Sequence, residues 1–221
     1  MTDHLRNWYE IREQVRWHDI RHGRGWPRGP VRARRDGIAH RITTVECARE
    51  PRRAQRLLAA YEQVRADAAA GRTLDFGLVA GWQRTVLGMS CMPFRDGPAF
   101  AKGGRERYGL DADTPARFDA CLAGSRDSAL PVASRAARAY LDVCFFHPFP
   151  DGNARSALLT LAFVLAAADI VLDQVGPLAQ LQRPADDPEG ARGLADLVVT
   201  LIEGAQRRSG NANGPIRVHN R

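Results

Sequence analysis

The stretch His147-Pro148-Phe149-Pro150-Asp151-Gly152-Asn153-Ala154-Arg155 lies between two apolar runs that both read as helices. Pro148 and Pro150 fix φ and lack N–H donors, so neither helix continues through it. The second helix therefore begins at the end of the stretch, and a helix start presents unpaired N–H groups and a partial positive charge. Gly152 lets an anion approach that backbone, and the Asn153 amide offers a further donor. Arg155 suits the first turn poorly, because the dipole there prefers acids, unless an anion offsets the clash. Asp151 is a hard oxygen donor fit for a magnesium ion bridging two phosphates. His147 titrates near neutrality and can take a proton from a hydroxyl. Singly, each residue has an ordinary reading as cap, turn or surface charge. Jointly, at this spacing, they point to in-line attack by a hydroxyl on a phosphorus of a metal-bound nucleotide.

Upstream, Pro131 opens a helix whose Ala133, Ala136, Ala137, Tyr140, Leu141, Cys144 and Phe145 form a small-residue face, and it runs directly into His147. Downstream, Ala154 to Leu172 is apolar almost all round and reads as the central helix of a bundle. Further helices are expected from Leu5 to Arg21, from Pro51 to Gly71, from the N-cap Asp75 to Gly88, from Thr114-Pro115 to Gly124, and from Pro188 to Arg208. Between Met92 and Gly104, glycine and proline rule out a long helix. Asp96-Gly97 there predicts the turn of a small exposed hairpin. The fold class is all-α with one small β element.

At 221 residues the chain is long enough for one well-buried domain. We expect residues 1–50 to form an N-terminal helix and basic loop packed on the core, residues 51–208 the helical domain, and 209–221 a flexible tail. The net charge of +7 is almost all arginine, since Lys102 is the single lysine. That balance favours anionic partners but speaks to non-specific binding rather than fold. The Gly23 to Arg35 run, with Trp26 among its arginines, reads as a solvated connector, with nucleic-acid contact as the alternative. Cys47, Cys91, Cys121 and Cys144 form no C-x-x-C pair, which argues against a zinc site or disulfide framework and for reduced thiols in the cytoplasm. The N-terminus lacks a signal-like apolar stretch, and Ala157 to Ala168 is too short to cross a bilayer, so no membrane association is expected.

His147 to Arg155 closely resembles the signature of the Fic family, H-P-F-x-[D/E]-G-N-G-R-x-x-R, within the wider Fic/Doc group. The helices from about Asp75 to Leu172 resemble that family's core. The resemblance implies a Fic-like helical bundle with a β-hairpin flap, and transfer of AMP from Mg-ATP to a hydroxyl of a protein target. Carried over by position, it implies His147 as base and Asp151 as magnesium ligand. It implies Phe149, Gly152, Asn153 and Ala154 at the nucleotide, and Arg155 binding phosphate and assisting catalysis. Phe94, Arg95, Ala99 and Phe100 fall where the family has the flap that aligns the target by strand addition.

Two positions depart from the signature. Ala154 stands where Fic proteins mostly have glycine, and alanine tolerates a left-handed backbone poorly. Leu158 replaces the second arginine, as in Doc-type proteins, which transfer the γ-phosphate. The alternatives to AMP transfer are therefore a Doc-like kinase, a transferase with another phosphate-containing donor or a small-molecule acceptor, and a non-catalytic binder of anions or nucleic acid. Thr200-Leu201-Ile202-Glu203-Gly204 is one residue short of the family's inhibitory pattern, so no intramolecular inhibition of that kind is expected.

Overall fold

The computed structural model describes residues 2–20, 30–180 and 184–210. Ten α-helical segments, one π-helical turn, one 3-10 turn and one two-stranded sheet are found among them. With 63% of the chain helical, the expected all-α class is what the structure has.

The centre is the pair α7 (Val132–Phe146) and α8 (Asn153–Ala166), the most extensively packed pair of elements. Ala133, Ala136, Ala137 and Ala139 are buried on α7 and let the neighbouring backbones come close. Leu159, Leu161 and Leu165 of α8 are fully buried in the same core. The remaining helices pack round this pair. Helix α10 (Pro188–Gly210) lies on α7, and α4 (Pro51–Ala69) lies on both α8 and α5 (Phe76–Leu87). Helix α6 (Thr114–Ala123) also packs on α7.

Local chemistry sets most boundaries. Asp75 caps α5 by accepting from the Leu78 N–H, and Gly88 closes it in the left-handed conformation at φ 68°. Helix α8 ends six residues before Leu172. Asp169 takes φ 56°, the left-handed turn that stops a helix, and the chain reverses so that Ile170 bridges Val31 and Leu172 re-enters the core. The first helix is also shorter than its pattern suggests. Helix α1 (His4–Gln14) stops at Val15, which is extended, and the Trp17 indole donates back to the Arg12 carbonyl at 2.9 Å.

The hairpin is displaced from its expected place. Strands β1 (Ala99–Ala101) and β2 (Glu106–Tyr108) pair antiparallel, and the turn between them carries Lys102, Gly103 and Gly104 at positive φ. Asp96-Gly97 is only a bend ahead of β1. Two consecutive glycines supply the left-handed backbone that a tight strand connection needs, and they outcompete the Asp-Gly pair.

Residues 37–49 form a helical run that the sequence pattern did not announce: α2 (Gly37–Arg41), a π-helical turn (Ile42–Glu46) and α3 (Cys47–Arg49). A further short helix, α9 (Gly176–Gln180), precedes α10. Most of the basic run from Gly23, and the tail from residue 211, lie outside the described residues. No helix among the described residues is long and apolar enough to cross a membrane.

The N-terminal helix is bolted to the centre by one buried carboxylate. Asp142 of α7 is fully buried and accepts from the Trp8 indole at 3.0 Å and from Arg12 through Nε at 2.8 Å and Nη2 at 3.1 Å. Removing one member of a buried ion pair leaves the other charge uncompensated, which typically costs ~3–5 kcal/mol. Arg12→Ala should lower the unfolding free energy by about that amount in urea titration. An unchanged midpoint would show that this pair does not anchor α1.

Candidate active site

Helix α7 ends where His147 turns left-handed, at φ 49° and ψ 52°, with its N–H still bonded to the Val143 carbonyl. That turn swings the imidazole off the helix axis. Its Nδ1 lies 3.3 Å from the Cys144 carbonyl, which can only accept, so Nδ1 carries the proton and the lone pair falls to Nε2. The ring stacks on Tyr108 of β2, with centroids 4.5 Å apart and planes 15° from parallel. Burial holds the imidazole below its ordinary pKa. The Cys144 carbonyl opposes this and the Arg95 guanidinium adds to it.

Two residues expected at the nucleotide have their side chains engaged in the scaffold. Phe149 is fully buried and stacks on Phe76 at 5.8 Å. The Asn153 side chain turns back to the same residue, its Oδ1 accepting from the Phe149 N–H at 3.0 Å and its Nδ2 donating to the Phe149 carbonyl at 2.8 Å. Both ends of the amide are thus engaged inside the loop, and Asn153 offers a ligand only its backbone N–H.

Gly152 is the N-cap of α8 at φ 76°, and no side chain caps the helix. A Cβ there would lie 2.6 Å from Gln83 Nε2 and 2.9 Å from Arg155 Nη2, so glycine is required by space as well as by backbone. Ala154 is helical and exposed, not left-handed, so alanine costs nothing in backbone strain at that position. The first-turn N–H groups of α8 are left for an anion. Asp151, 76% exposed, pairs with Arg155 at 3.0 Å.

Of the residues expected on the flap, the hairpin carries two. Ala99 and Phe100 are on β1, and Phe100 is 53% exposed. Phe94 and Arg95 precede the strand and are half-buried against the core. Phe94 packs on Phe76 and Phe118. Arg95 donates its N–H to the Pro148 carbonyl and its guanidinium to the carbonyls of Phe146, Gly97 and Gly109, tying the base of the hairpin to the motif loop.

A cleft of about 610 Å³ unites His147, Asp151, Arg155, Leu158 and Phe100. That is within the range of small-molecule sites, roughly 300–1,000 Å³. Its size suits a nucleotide.

Residues 80–165 match the sequence model of the Fic/DOC family. That family generally transfers a nucleoside monophosphate to proteins. Solved Fic domains share the fold. A Fic domain containing signaling protein from Bacteroides thetaiotaomicron superposes with a TM-score of 0.53 at 17% identity, covering 70% of this chain and 69% of that one. IbpAFic2, solved covalently tethered to Cdc42, gives 0.55 at 12% identity over 89% and 70%. Fic-1 from C. elegans gives 0.51 at 13% identity over 93% and 72%. No curated protein matches the chain in sequence.

The Fic/DOC match accounts for only part of the cleft lining. Arg41, Ile42, Glu46, Arg49 and Arg53 line it as well, all outside residues 80–165. Sequence reasoning also missed Gln83 of α5, which is fully buried and donates to the Asp151 carbonyl at 2.6 Å. Its one available signal was a glutamine on the otherwise apolar face of a helix.

The Asn153 clamp is testable apart from any activity. Asn153→Ala leaves the buried N–H and carbonyl of Phe149 unpaired, at roughly 2–4 kcal/mol for the two groups. We expect that loss in chemical denaturation, together with faster hydrogen exchange at the Phe149 amide. An amide that stays equally protected would rule the clamp out.

Proposed function

We propose that the protein transfers AMP from Mg-ATP to the hydroxyl of an acceptor, a protein side chain, with His147 as general base. The observation that carries this reading is the meeting, in one cleft, of an imidazole with its lone pair on Nε2 and the uncapped start of α8. The acceptor oxygen bonds to the α-phosphorus as its proton passes to Nε2, and the bond to the bridging oxygen breaks to release pyrophosphate. Cys144 holds the imidazole through Nδ1–H, and the Tyr108 ring fixes its plane. Phosphate oxygens accept from the first-turn N–H groups of α8 and from the Arg155 guanidinium.

Asp151 is the residue that would hold Mg2+. Among the described residues no group of three or more histidine, cysteine, aspartate or glutamate side chains converges as a metal site. Magnesium fits such a place, because it usually binds one or two carboxylates and takes its other ligands from substrate phosphates and water. The ion would supply positive charge to the phosphates there, and Arg155, which pairs with Asp151 at 3.0 Å, would donate to a phosphate oxygen.

For the acceptor, β1 is the fitting edge. Arg107 of β2 is bridged by Asp3 on the far side, whereas β1 pairs with β2 alone in this two-stranded sheet. An extended target segment adding to β1 would pass Ala99 and Phe100, and Phe100 also lines the cleft. A second reading, transfer of the γ-phosphate, draws on one residue, the uncharged Leu158 in the cleft.

ATP labelled at the α or the γ position separates the two readings. We expect label on the acceptor from the α position only, and none with His147→Ala. Label from γ alone would make the protein a kinase. The pH profile tests the base independently. Because burial lowers the His147 pKa, the neutral imidazole persists to lower pH than a free one, so the acid limb of kcat/KM should fall below the ordinary 6.5. An acid limb above that value would point to another base.

A further inference from the structure

Three arginines outside the Fic/DOC match line the same cleft as the motif. Arg41 closes α2, Arg49 closes α3 and Arg53 lies in the first turn of α4, and all three line the same cavity as His147, Asp151 and Arg155. They share one carboxylate. Glu46 Oε1 lies 3.5 Å from Arg41 Nη2 and 3.9 Å from Arg49 Nη1, and its Oε2 lies 3.8 Å from Arg53 Nη2. Glu50 is the other acid at hand, 3.5 Å from Arg53 Nη1.

These contacts are long. Charge-assisted hydrogen bonds usually measure about 2.7–2.9 Å. The buried Arg12–Asp142 pair reaches that range at 2.8 Å. Three guanidinium groups carry many N–H donors, and one loosely placed carboxylate satisfies few of them. The cluster is therefore built around more positive charge than its acids use. Arg41 and Glu46 are partly withdrawn from water, 21% and 20% exposed, whereas Arg53 and Arg49 are 41% and 65% exposed, so screening of an anion is reduced chiefly at Arg41.

The backbone explains how Arg41 and Glu46 come to face one another. They are five residues apart, which in an α-helix would set them about 140° apart round the axis. The π-helical turn Ile42–Glu46 closes i→i+5 instead and brings both onto the cleft side. Leu158, on the α8 wall of the same cleft, supplies no charge for an outer phosphate.

We propose that Arg41, Arg49 and Arg53 form the receptor for the outer phosphates of the donor, with Glu46 as the counter-charge that holds them until the donor arrives. This rests on the nucleotide reading above and deepens it. The terminal phosphates are drawn to the α2–α4 wall, which leaves the α-phosphate beside His147. The cluster thereby selects donors with more than one phosphate over monophosphates.

Calorimetric titration of the full chain with ATP and with AMP, both with magnesium, tests the assignment. Arg41→Ala and Arg53→Ala should each weaken ATP roughly tenfold, the loss of about one charge-assisted bond, and leave AMP unchanged. Glu46→Gln should tighten ATP, a gain that misfolding cannot produce. The proposal is overturned if the arginine variants bind ATP as the parent chain does, if they weaken ATP and AMP alike, or if Glu46→Gln loosens ATP. It also fails if the unaltered protein does not prefer ATP to AMP. Failure of the AMP-transfer reading would look different: label would pass from γ, or none would pass, while the arginine-dependent preference for ATP remained.

Discussion

Two hydrogen bonds between the Asn153 side chain and the backbone of Phe149 hold the loop on which the site depends. They close a ring across the turn from α7 to α8, and the buried Phe149 side chain pins that ring to Phe76. The two helices are the most tightly associated pair in the fold. With the loop fixed between them, the position of the His147 imidazole relative to the start of α8 is set by the core rather than by the loop's own preference. A base and an anion site are useful only at a constant separation, since misplacement of reacting groups by about 1 Å can cost on the order of a hundredfold in rate.

The same loop keeps its polar chemistry unspent. His147 and Gly152 both adopt left-handed backbone, and each conformation turns a group outward: the imidazole in one case, the first N–H groups of α8 in the other. A side chain at position 152 would strain the left-handed backbone and press on Gln83, and it would also stand over the first N–H groups of α8. Asp151 and Arg155 meanwhile satisfy one another at 3.0 Å. Asp151 is 76% exposed, so solvent screens the pair and it contributes little stability.

How much of this the sequence revealed depended on how local the deciding contacts were. The ends of α5 were legible because Asp75 and Gly88 act within a turn of themselves, and His147 was placed at the end of α7 for the same reason. The hairpin was misplaced because Asp96-Gly97 and Lys102-Gly103-Gly104 both permit a turn. Arg95 then decides between them through carbonyls at Phe146 and Gly109 that lie far off in the chain. The spacing identifies Phe149 and Asn153 as members of the loop but not where their side chains face, which the structure shows to be the core and the loop's own backbone. The π-helical turn left no trace at all, because its five-residue period matches neither helical nor strand patterning.

That blind spot bears on what Leu158 means. Judged from the motif alone, a leucine where an arginine is expected removes a positive charge and leaves the outer phosphates without a partner. Judged from the assembled cleft, other elements supply positive charge, since α2, α3 and α4 bring three arginines to the same cavity. An electrostatic site is defined by the potential at the ligand, to which every nearby charge contributes regardless of the element that carries it. Leu158 meanwhile packs against the hydrophobic core beside the α4–α8 contact. On this account the departure at position 158 and the arginines of residues 41–53 are two halves of one arrangement, and neither is intelligible without the other.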